Sequence, residues 1–140
     1  MRVLLAVLAA ILASAACDSP AGPDSQSDLD YNRLLQGLRQ SGLAAVPAGQ
    51  LSQPFLSIPG RLIAIDAEHV QVFEYPDEPS AQADAARVSA DGGRVWNSLI
   101  LWVAPPHFYR RGLVLALYVG NRAEINASLE RILGPQFAGG

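Results

Sequence analysis

The 140-residue chain is 50% apolar and 16% charged, with a formal net charge of −3. That gives one domain enough apolar side chain for a packed core and argues against global disorder. All ten basic residues are arginine, which excludes Schiff-base and P-loop lysine chemistry, and with no basic tract nucleic acid is a poor partner.

Met1-Arg2 is a minimal basic start, Val3 to Ala13 is an apolar stretch of signal-peptide length, and Ser14-Ala15-Ala16 places small residues before Cys17. Cys17 is the one cysteine, which excludes an internal disulfide and a multi-cysteine metal site. The arrangement resembles the bacterial lipoprotein signal, in which the cysteine becomes the first mature residue and carries lipid. Ser14 departs from it, since the pattern prefers a larger aliphatic residue there. The resemblance implies a signal peptide over 1–16, lipid on Cys17, and a domain held outside the cytoplasm at a membrane of the cell envelope. An ordinary secretory signal cut near Ala16 and an uncleaved anchor are the alternatives. Residues 18–28, DSPAGPDSQSD, are small, polar and proline-bearing, so 17–28 reads as a flexible tether with a root-mean-square span of roughly 20 Å.

From residue 29 to 140 the pattern predicts a single α+β domain. Asp28 is placed to cap a first helix bearing Tyr31, Leu34, Leu35 and Leu38, with Gly42 as the stop. Pro59-Gly60 reads as a turn between strands Gln53–Ile58 and Arg61–Asp66, and a third strand follows over Val70–Tyr75. Asp77 caps a helix of about Ser80 to Val88 whose apolar face is Ala81, Ala85 and Val88. The stretch Ser98 to Gly120 reads as a central hairpin. Its strands are Leu99–Ala104 and Leu113–Val119, and its tip is Pro105–Arg111, where two prolines interrupt the ladder. A membrane-spanning helix there would bury Arg110 and Arg111 at about 2.5–3.5 kcal/mol each. Asn121 with Glu124 signals the start of a last helix carrying Ile125, Leu129, Ile132 and Leu133, closed by Gly134-Pro135. The expected order is α-β-β-β-α-β-β-α, an antiparallel sheet of four to five strands with helices packed on one face.

Five strings, SQPFLSIPG, VQVFEYPDEPSAQADAARVSADG, WVAPPHFYRRG, LYVG and LGPQF, resemble a group of small bacterial lipoproteins of uncharacterised function. The likeness covers most of residues 50–140, and it implies anchoring and nothing catalytic.

His107, Tyr109, Arg110 and Arg111 crowd the expected hairpin tip, where two guanidiniums beside an imidazole offer a bidentate seat for phosphate or carboxylate. The ordinary alternative is a solvated loop with Phe108 tucked inward. His69 lies near Asp66, Glu68 and Glu74, a weak basis for a metal site, since turn-forming acids on a solvated edge look the same. Ile100, Trp102 and Ala104 on one expected strand, and Val114, Ala116 and Tyr118 on its partner, define an apolar aromatic face. Such a face needs the first helix, a partner or a ligand to cover it. No Gly-x-Ser-x-Gly, His-Glu-x-x-His or glycine-rich phosphate loop is present. The expectation is therefore a lipid-anchored, non-enzymatic binding or scaffolding module without cofactor. The alternative is a small envelope hydrolase or anion sensor at His107–Arg111.

Overall fold

The computed structural model describes residues 29–140, so the signal segment, Cys17 and the tether lie outside the described residues. Helix α1 (Tyr31–Gln40) buries all four of its expected apolar residues, Tyr31, Leu34, Leu35 and Leu38. Its cap is Asp30, whose carboxylate accepts from the Arg33 amide at 2.8 Å. Gly42, at φ +86°, ends the helix as expected.

The sheet that follows has six strands, not the expected four to five, because Ala45–Leu51 and Ala138–Gly139 add to it at its two edges, and every neighbouring pair is antiparallel. In chain order its strands are β1 (Ala45–Leu51), β2 (Gly60–Ile65), β3 (Glu68–Glu74), β6 (Pro106–Arg111), β7 (Val114–Val119) and β8 (Ala138–Gly139). In space they run β1-β2-β3-β7-β6-β8. A separate two-stranded ribbon joins β4 (Arg94–Val95) to β5 (Ser98–Leu99). Helices α2 (Glu78–Ala85) and α3 (Ala123–Leu133) complete the domain. Asp77 caps α2 as expected, accepting from the Ser80 amide at 2.7 Å.

Several expectations require correction. The strand paired with β2 is Ala45–Leu51, not Gln53–Ile58. Residues 52–59 are a loop, because Ser57 spends its backbone amide on the Asp84 carboxylate and Leu56 tucks under the sheet. Pro47 and Gly49 hid the true strand, which tolerates them because it is an edge and its register shifts between Pro47 and Gln50. The central hairpin is likewise displaced. Its first strand is the expected tip, Pro106–Arg111, and its turn is Gly112-Leu113, with Gly112 at φ +54°. Pro106 occupies the first strand position, where the missing N–H costs least. Leu99–Ala104 is mostly loop, entered through a tight turn that holds Trp96 at φ +54°. Asn121 does not cap α3. The N-cap is Arg122, whose amide donates to the Tyr118 hydroxyl at 2.9 Å while its guanidinium bridges Asp66 and Glu124.

Helices lie on both faces, not one. Tyr31, Leu34 and Leu38 of α1 and Ile125 and Leu129 of α3 pack against Val70, Val72, Ala116 and Tyr118. On the other face Ala81 of α2, Leu56 and the 94–104 segment cover Phe73, Phe108, Leu115 and Leu117. Strict alternation along β7 thus sends side chains into two cores.

The C-terminal strand β8 depends on one residue. Gly139 sits at φ +89°, and a Cβ there would collide with the Pro106 carbonyl oxygen. Gly139→Ala should therefore cost at least about 2 kcal/mol from left-handed strain and overpacking. A urea titration checks this, and a loss under about 0.5 kcal/mol would mean that β8 is not seated as described.

Candidate functional site

Strand alternation decides where the four residues of the expected tip go. His107, Tyr109 and Arg111 face α3, whereas Phe108 and Arg110 face α2. Arg111 donates to the Ile132 carbonyl at 2.8 Å, and Arg110 lies 4.0 Å from Glu78 across the sheet. The two guanidiniums thus point to opposite faces, and the geometry lends no support to an anion seat built from both.

His107 is 9% exposed, and both ring nitrogens meet protein partners. Nδ1 lies 2.7 Å from Gln136 Oε1, and Nε2 lies 3.0 Å from the Gly120 carbonyl and 3.3 Å from Asn126 Nδ2. A proton on Nε2 suits Gly120, and one on Nδ1 suits Gln136. The imidazole therefore clamps β6 to the end of β7 and to the C-terminal segment. Beside it the Tyr109 hydroxyl donates to Asn126 Oδ1 at 3.1 Å. Burial, with the Glu130 carboxylate adding to it, pushes the Tyr109 phenol up to about 12. Tyr118 donates to Glu68 at 2.6 Å and stacks on His107. Its phenol is likewise pushed up to about 12, first by burial and then by that bond. Both phenols stay protonated near neutrality and act as donors.

The carboxylates near His69 are also engaged. Glu68 takes the Tyr118 proton donor, Asp66 pairs with Arg122 at 2.8 Å, and Glu74 pairs with Arg61 at 2.8 Å. Among the described residues no three histidine, cysteine or acidic side chains gather to hold a metal ion.

Tyr118 is fully buried beneath α1 and α3, and Trp102 lies on the opposite face of the sheet, so the two do not share a surface. Trp102 is half-buried, packed edge-on between Phe55 and Phe108, with its indole N–H donating to the Gly92 carbonyl at 2.7 Å. It pins a loop whose other side is open. Ile100 and Trp102 turn inward, while Leu99, Leu101 and Val103 turn out, Leu101 being 89% and Val103 99% exposed. At the foot of this loop the Arg87 guanidinium lies 4.3 Å above the exposed ring of Trp96. A cleft of about 230 Å³ opens there, against Phe55 and Ser57. The sequence signal for the loop is the uncharged run itself, which has the pattern of a strand because exposed alternation and buried alternation look alike.

Asp84 of α2 is a buried charged residue that no sequence motif marks. It is 2% exposed, and its Oδ2 accepts from the Ser57 amide (2.8 Å), the Ser57 hydroxyl (2.7 Å) and the Tyr75 hydroxyl (2.8 Å), while Arg87 donates to Oδ1 at 3.0 Å. Its position three residues after Ala81, on the alanine face of α2, was the available cue. Through Arg87 this carboxylate is tied to the foot of the exposed loop. Among the described residues no helix is long and apolar enough to cross a membrane. No protein-family model, curated protein or solved structure matches the chain.

Proposed function

We propose that the protein is a lipid-anchored, extracytoplasmic binding or scaffolding module of the cell envelope, held through Cys17 and acting by presenting a surface. The observation that carries the surface half is the outward row Leu99, Leu101 and Val103, the last two almost fully exposed, since exposed aliphatic side chains grouped in one patch mark contact sites. The non-catalytic part draws support from the interior polar groups, because His107, Tyr109, Tyr118 and Asp84 are each committed to ties between elements. The anchoring half rests on the sequence 1–17 and on multiple acyl chains, each buried CH₂ contributing about 0.8 kcal/mol.

Growth with a fatty-acid analogue should label the protein and find it in the membrane fraction. Cys17→Ala should abolish both the label and the retention. A wild type that is soluble and unlabelled would refute the anchor. A turnover lost on His107→Ala would refute the non-catalytic reading.

A further inference from the structure

We infer that the Leu99–Val103 loop is a wedge that inserts into the interface of a lipid bilayer, so that the domain lies against the membrane on its α2 face. This deepens the anchored reading above and, for its tether argument, rests on it. From Val95 to Tyr109 the chain carries no aspartate, glutamate, lysine or arginine, and the row that projects is aliphatic, without hydrogen-bonding groups that a protein partner would have to satisfy. Leu101 and Val103, at 89% and 99% exposure, are covered by nothing else among the described residues of the domain. Trp102 and Ile100 grip the core behind it, so Leu101 and Val103 stand out from a fixed base. Trp96 sits at the foot of that wedge, 60% exposed, with the Arg87 guanidinium over its ring. An indole beside an arginine belongs at headgroup depth, where its apolar body and polar edge both find partners.

The chain that precedes the described residues fits this orientation. Residues 17–29 join the proposed lipid to α1, which covers the opposite face of the sheet from the loop. Helix to sheet and sheet to loop are two layers of about 10 Å each, so the tether must climb roughly 20 Å. A random-coil linker of twelve residues has a root-mean-square span of roughly 20 Å. A linker whose span matches the distance to be bridged gives the largest effective concentration of the second contact. The lipid and the wedge would therefore reinforce each other.

Trp96 and Trp102 are the chain's two tryptophans, the first lying three residues before the loop and the second within it. The protein as isolated is mixed with excess phosphatidylcholine vesicles containing nitroxide-labelled lipid, and quenching of tryptophan fluorescence is read. Wild type should be strongly quenched, and quenching should survive added salt. Leu101→Asp with Val103→Asp should lower it several-fold while circular dichroism and thermal midpoint stay unchanged, since both side chains are exposed. Absence of quenching in wild type, or equal quenching in the double variant, would overturn the inference. So would sedimentation showing a lipid-free wild-type dimer that the double variant dissolves, because a second copy would then cover the wedge. Acyl labelling of Cys17 is scored separately. An unlabelled chain that is still quenched refutes the anchor and supports the wedge; a labelled, retained chain without quenching does the reverse.

Discussion

Phe108→Ala should destabilise the domain by about 3–5 kcal/mol, a large share of the 5–15 kcal/mol that holds a typical domain together. The ring is fully buried against the α2 face of β6, with its centroid 6.0 Å from that of Trp102 and 6.0 Å from that of Phe137. Its backbone also carries the pairing of β6 with β8, opposite Ala138. Truncation opens a cavity beneath Trp102, so the indole should loosen as well as the core. Chemical denaturation followed by circular dichroism measures the first effect, and a red shift of native-state tryptophan emission measures the second. A loss below about 1 kcal/mol would show that the loop's support lies elsewhere.

Asp84→Ala is expected to cost about 3–5 kcal/mol as well, for a different reason. It strands the Ser57 amide and hydroxyl and the Tyr75 hydroxyl without their acceptor and leaves Arg87 unpaired in the fold. Asp84→Asn should be milder, because an amide oxygen can still serve Ser57 and Tyr75, but its amino group then confronts the guanidinium. Burial by itself raises the carboxyl's pKa. The bonds from Ser57 and Tyr75 and the Arg87 charge outweigh it and hold the group below its ordinary value. A depressed folded value means that the stabilisation is complete above the ordinary carboxylate pKa of about 3.9 and is lost as pH falls from there through the folded value. Wild type should therefore weaken across that acid window, and Asp84→Asn should lack this part of the decline. Denaturation midpoints measured between pH 6 and pH 2.5 test it. Parallel curves for the two proteins would refute the account.

Local signals were legible in this sequence where one element satisfied itself. Helix α1 declared its stripe, Asp77 its cap, and β2 and β3 their positions, because periodicity and capping act within a few residues. What failed depended on distant partners. Pro47 and Gly49 look unlike a strand until one knows that Ala45–Leu51 is an edge. The run Leu99–Ala104 looks like a better strand than Pro106–Arg111, yet β7 and β8 recruit the latter and leave the former outside. Placing His107 at a tip followed from that slip, and with it the idea that Arg110 and Arg111 converge. The shift separated Ile100 and Trp102 from Val114, Ala116 and Tyr118, which keep their shared face on β7 and are covered there by α1. Ala138–Gly139 is too short to announce itself in any sequence pattern.

The two borders of the sheet bear on how many such molecules can be crowded together. Along β1, Pro47 and the kink before Gln50 break the row of free amides and carbonyls that a neighbouring chain would need. Along β6, the two residues of β8 cap one end, and the charged side chains of Arg110 and Arg111 occupy the other. Neither border offers a long flat template, so copies concentrated on one plane are kept from zipping into ribbons.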